Sequence, residues 1–295
     1  MSASKQLFII ILCFCVGFLL NTAMVVLLYF FMQGETSYKI LLMLSSVISF
    51  ALPALIATKF IEKDEPVFRQ LGLTESPRFA KYLLAIAFML AIMPAVELLS
   101  SLNASYSFPE SLKGLEDYFR AADTSAMEAT QRALAGSGIG AFVLNLIVLA
   151  ITPAVCEELF FRGVLQKFFV RNISNKHIAI LLTAFIFSAI HMQFSGLLPR
   201  FILGAVLGYL FYTSGSLWLS IVAHATNNAL VVCVAYFGDV SAAEIPDISI
   251  FANIWWITMS SSTTGVIATV SSMFMKATTR GFVCRPSSYR CWATA

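Results

Sequence analysis

The sequence predicts an all-α, polytopic membrane bundle of about eight helices with a polar cavity inside the membrane. Three observations carry this. Of the 295 residues, 59% are hydrophobic and 12% charged, with a mean hydropathy of +0.82, whereas soluble domains carry about 25% charged residues. Apolar stretches recur at 7–32, 40–60, 82–101, 139–166, 177–194, 197–213, 216–237 and 250–275, each near the roughly 20 residues that cross hydrocarbon. None alternates with period two, so helices must satisfy the backbone groups.

The first stretch follows Lys5 and is longer than the apolar core of a secretory signal, which predicts a retained span. Residues 61–81, rich in charge, predict a solvated loop with a short helix lying on the membrane. Residues 103–138, with Pro109, Glu110, Glu116, Asp117, Asp123, Glu128 and Arg132, predict an extramembrane excursion with one or two amphipathic helices. Spans four to seven follow with short turns, and the eighth precedes a basic tail. The expected units are 1–138 (three spans with loops), 139–237 (the polar core) and 238–295 (last span and tail).

With the N-terminus inside, thirteen Lys and Arg fall on the inner side and five on the outer, leaving Arg162 within a span. The positive-inside rule then predicts cytoplasmic termini, and the phenylalanine-rich, short-looped chain suggests a bacterial inner or plasma membrane. A net charge of +3 gives no reason to expect nucleic acid. The six cysteines show no CxxC spacing and are expected to be apolar fillers rather than a disulfide or thiolate-metal framework. Cys291 stands fifth from the end, where a prenylation box needs it fourth.

Ionisable groups within spans default to a functional hypothesis, because burying them in lipid is costly. The fourth span carries Glu157, Glu158 and Arg162. Glu158 and Arg162 are four apart with the acid first, the favourable order for a helical pair. Glu157 then points about 100° away. An ion pair that merely fixes packing explains one carboxylate; it leaves Glu157 over, suited to a general base. The fifth span presents His191, one turn after Phe187, which is expected to orient the ring. His224 and Asn228 share one face of the seventh span and could serve as hydrogen-bond donors or as interhelical glue. His177, near the cytoplasmic turn, is expected at the solvated surface.

Depth brings these residues together. Lys167 and the turn Thr213–Ser216 mark the cytoplasmic side, and Glu157 and His224 each lie about ten residues, or roughly 15 Å, from them. The turn 172–175 sets Glu157 opposite His191. The short segment between His191 and Arg200 leaves little chain to reach the far surface, so the sixth span is expected to start inside the bilayer or where the membrane thins.

In order and spacing, Glu157-Glu158-x-x-x-Arg162, Phe187-x-x-x-His191 and His224-x-x-x-Asn228 resemble the three motifs of the type II CAAX prenyl endopeptidases, also called CAAX protease and bacteriocin-processing (CPBP) membrane proteases. Residues 201–212, with Gly204 and Gly208, are similar to the family's Gly-rich sixth helix. The resemblance covers about 140–236. It implies an eight-helix fold with a cavity open to the cytosol and hydrolysis near the C-terminus of a membrane-associated or lipidated peptide. Glu157 and His191 would activate water, His224 and Asn228 would stabilise the oxyanion, and Glu158 and Arg162 would support Glu157.

No cofactor is favoured. A zinc mechanism remains open, with Glu157, His191 and His224 as ligands and one position left for water. The expected partners are a peptide or membrane-protein substrate and the bilayer. Two non-protease readings stand beside this one: a noncatalytic scaffold or bacteriocin-immunity protein, and a transporter using Glu and His as a proton relay.

Overall fold

The computed structural model describes residues 1–237, apart from 29 and 33, and the expected span at 250–275 lies outside the described residues. The chain is an all-α integral membrane protein. Six helices are long and apolar enough to cross a bilayer: α1 (Ala3–Leu28), α2 (Glu35–Ile61), α4 (Phe79–Ala104), α6 (Gly138–Asn172), α8 (Leu197–Ser214) and α9 (Leu217–Phe237). Between them lie a short α3 (Val67–Leu71), the amphipathic α5 (Lys113–Leu134) and α7 (Lys176–Ala189).

The polar loops match their charge patterns. In 61–81, Pro66 starts α3 and Gly72, at φ 83°, ends it, a left-handed cap that glycine adopts without strain. In 103–138 the excursion forms α5. Lys39 is fully buried in α2, where its ammonium donates to Glu35 at 2.8 Å and to the Ala135 carbonyl at 2.6 Å. An ammonium can be buried there because both partners accept from it.

Two spans contain π-turns that precede prolines. Val47–Ala51 stands before Pro53, and Leu146–Ile151 before Pro153. Proline removes a backbone N–H and crowds the preceding turn, and a wider turn relieves both. Thr152 Oγ1 donates to the Ile147 carbonyl at 2.7 Å. A third π-turn, Phe161–Gln166, lies directly after Glu157 and Glu158 and contains Arg162.

α7 packs along α8, α9 along α4 and α6, and α1 along α2. The core is aromatic: Phe14, Phe50, Phe160, Phe161 and Phe187 connect α1, α2, α6 and α7 with ring centroids 5.0 to 6.3 Å apart, the spacing at which ring pairs attract beyond their area. α7 and α8 approach closely at Gly204 and Gly208: a Cβ on Gly208 would stand 2.7 Å from Gln166 Oε1 and 2.8 Å from Ile180 Cγ2. Small residues permit such backbone approach in membrane bundles.

The fifth span departs from expectation. α7 is 14 residues long and ends at Ala189, about 21 Å, short of a hydrocarbon core of about 30 Å. His191 therefore sits in a turn rather than on a helix, and Met192 adopts φ 53°. α8 starts at Leu197, after a short connection.

Candidate active site

Glu158, on α6, is fully buried, and its Oε1 accepts from Arg162 Nη1 at 2.6 Å and from His224 Nδ1 at 2.9 Å. Arg162 is also fully buried; its Nη2 donates to the Gly204 carbonyl at 3.0 Å, and its guanidinium lies 4.7 Å from the Phe187 ring centroid. One carboxylate, one guanidinium and one imidazole thus join α6, α8 and α9. The i,i+4 pair survives the π-turn because Arg162 is long enough to reach back across it.

Glu157 is partly exposed, with 12% of its side-chain surface open, and its Oε2 lies 3.9 Å from His224 Nε2. Glu158 takes the guanidinium and the near imidazole nitrogen, so Glu157 keeps lone pairs directed at the space beside His224. Among the described residues, no hydrogen bond or ion pair joins Glu157 to His191 directly.

His191 Nδ1 bonds the Phe187 carbonyl at 2.8 Å, and the two rings meet edge to face at 5.3 Å. A carbonyl only accepts, so the proton is on Nδ1, and neutral imidazole keeps its lone pair on Nε2. Phe187 orients the ring by backbone as well as by packing; its other edge meets His224 at 5.8 Å. His224 presents a different nitrogen: with Nδ1–H committed to Glu158, its Nε2 faces Glu157. Asn228, one turn on, accepts from Asn227 Nδ2 at 3.0 Å, which turns its own amide N–H away from that bond. Among the described residues, no three His, Cys, Asp or Glu side chains gather closely enough to hold a metal ion.

Residues 139–230 match the family described as type II CAAX prenyl endopeptidase Rce1-like. Over this segment, less than half of the chain, the protein is similar to a CAAX-type intramembrane protease core. The segment spans α6 to most of α9 and contains every residue of the Glu158–Arg162–His224 cluster. No curated protein and no solved structure matches the chain.

Three features of this core lie beyond the reach of sequence pattern. The His224–Glu158 bond joins residues 66 apart. Ser188 Oγ donates to the Leu197 carbonyl at 2.5 Å, tying α7 to the start of α8. Arg200 sends its guanidinium back over Gly196. No local motif announces any of these. His177 is exposed, as expected, and its Nδ1 lies 2.7 Å from the Tyr209 hydroxyl.

Proposed function

We propose that the protein is an intramembrane endopeptidase that cleaves near the C-terminus of a membrane-associated or lipidated peptide by glutamate-activated water. One observation carries this reading: Glu158 absorbs Arg162 and the Nδ1 of His224, leaving Glu157 partly open and 3.9 Å from the second nitrogen of that histidine. A carboxylate relieved of its structural duty by its neighbour is free to take a proton.

A water between Glu157 and His191 would donate one proton to Glu157 and the other to the lone pair of His191 Nε2. Loss of the first proton makes the oxygen nucleophilic toward the scissile carbonyl. The charge that develops on the carbonyl oxygen would be met by the Asn228 amide and, when protonated on both nitrogens, by His224. Glu157 would return the proton to the leaving amine, which closes the cycle.

The orientation we favour, from the distribution of Lys and Arg, puts both termini in the cytoplasm of a bacterial cell. The competing zinc mechanism would recruit Glu157, His191 and His224 as ligands, and a chelator separates the two.

Purified wild type, Glu157→Ala and Asn228→Ala are incubated with a peptide library, with and without chelator, and products are read by mass spectrometry. Cleavage should vanish in Glu157→Ala, while Asn228→Ala should lose about 10²–10³-fold in rate, the typical cost of an oxyanion donor. Activity should resist chelation. Normal turnover by Glu157→Ala sinks the reading; loss of wild-type activity on chelation moves it to zinc.

A further inference from the structure

Arg200 is a charged side chain beside the site that the chemistry above leaves unused. It lies in the first turn of α8, where its backbone N–H donates to the Gly196 carbonyl at 3.0 Å. The guanidinium folds back against that same residue: a Cβ on Gly196 would run into Nη1 and stand 2.5 Å from Cζ. Any side chain there would push the guanidinium away, so Gly196 is what lets it lie where it does.

The donors of this guanidinium are only partly used. Nη2 donates to Gln193 Oε1, whereas Nη1 is buried with no hydrogen-bond partner. A buried donor on a charged group that stays unpaired costs more than an ordinary lost hydrogen bond. Asp123, from α5, is the acid on the far side, but it does not complete the pair: its Oδ2 accepts from the Ser195 backbone at 3.1 Å, and its Oδ1 is itself buried without a partner. On the near side the positive charge acts on Glu157 and on His191. Gln193, which holds Nη2, belongs to the turn that carries His191, so the unpaired Nη1 lies at that turn.

A guanidinium in a low-dielectric site, with open donors a short way from the group that attacks a peptide bond, is suited to a carboxylate, whose planar geometry it matches. A peptide cut near its C-terminus brings one such group within a few residues of the scissile bond. We propose that Arg200 binds the free C-terminal carboxylate of the substrate and so sets which bond lies against Glu157. This rests on the peptidase reading above for the identity of the ligand, and it gives Arg200 a positioning role rather than a step in the chemistry. The Gly196 clearance and the Gln193 contact fix the direction of the fork.

The test uses the full chain in nanodiscs, with Glu157→Ala as the background so that binding is read without turnover. The probes are dansylated apolar hexapeptides ending in a free acid, ending in a carboxamide, or ending in a carboxamide with one internal glutamate. The free acid should bind about 10- to 100-fold tighter than either amide, the range of one charge-assisted hydrogen bond. Arg200→Gln should level the three probes, and Arg200→Lys, which keeps the charge but loses the fork, should retain part of the preference. Equal binding of acid and amide in the Glu157→Ala background overturns the proposal even if Arg200→Gln does not fold. So does a preference that survives in Arg200→Gln, or an internal glutamate that substitutes fully for the free terminus. Cleavage is scored separately with wild type: preference for the free acid without any cleavage keeps the Arg200 site and removes the peptidase reading.

Discussion

The carboxylate cluster of α6 and the turn between α7 and α8 both hold polar groups against neighbouring helices, yet they find their partners in opposite ways. In the cluster, Glu158 meets Arg162 four residues on and His224 on the adjoining helix, at 2.6 and 2.9 Å. In the turn, the Phe194 carbonyl accepts from Asn103 and the Ser195 N–H donates to Asp123 at 3.1 Å, residues 91 and 72 positions earlier. Irregular backbone needs partners from elsewhere for its polar groups, and here α4 and α5 supply them. An aromatic layer of Tyr106, Phe108 and Phe119 packs on Phe194 from the same side. The cluster is an internal brace between spans, while the turn that carries His191 takes contacts from the amphipathic α5.

The sharpest way to break this contrast is to cut the brace. Arg162→Met leaves Glu158 fully buried with only His224 beside it, and removing one partner of a buried pair costs about 3–5 kcal/mol. Thermal unfolding in detergent should show a large loss for Arg162→Met, and the double variant Glu158→Gln with Arg162→Met should recover much of it, because no uncompensated charge remains. If the single variant unfolds like wild type, the cluster is no brace and the comparison fails.

A smaller effect is expected at the turn. Asn103→Ala strands the half-buried Phe194 carbonyl, at a cost of about 1 kcal/mol, the typical net worth of one hydrogen bond. The loss should be local. Hydrogen exchange should rise over residues 190–196 and leave α6 protected, whereas Arg162→Met should loosen both. Uniform exchange in Asn103→Ala would show that turn and brace form one cooperative unit.

The two regions are unequally legible in the sequence for the same reason. Glu158 and Arg162 at i,i+4, and His224 and Asn228 at the same spacing, follow from helix periodicity alone, and the spans follow from apolar run length. The helix stop at Ala189 does not: residues 190–192 are Ile, His and Met, with no glycine or proline, and Met192 takes a positive φ that local preference opposes. What holds the stop is the Ser188 bond to Leu197 and the contacts from Asn103 and Asp123, all set by tertiary packing. Likewise, His224 reads from sequence as an open donor, because nothing near it in the chain reveals that Glu158 already occupies its Nδ1. The site's inventory of residues is accessible to pattern, and its wiring is not.

The weakest expected effect lies in α5, where the cover over the turn is anchored at its start. Glu116 Oε1 accepts from Arg120 Nε at 2.8 Å and Nη2 at 2.5 Å, and its Oε2 accepts from the Phe108 N–H at 3.2 Å. The Arg120 hydrogen bonds, helped by Phe108, hold this carboxyl below the usual carboxylate range. A depressed folded value means that the ionised form is favoured by folding, so its contribution is complete above the ordinary carboxylate range and is lost as pH falls through the folded value. Acidification from neutral to about pH 3 should therefore loosen the junction of residues 105–112 with α5, seen as faster proteolytic nicking there. Exposed pairs of this kind contribute little, so the change should be modest and absent in Glu116→Gln, whose side chain does not titrate. An identical acid response in that variant would assign the loosening to other carboxylates and detach Glu116 from the cover over His191.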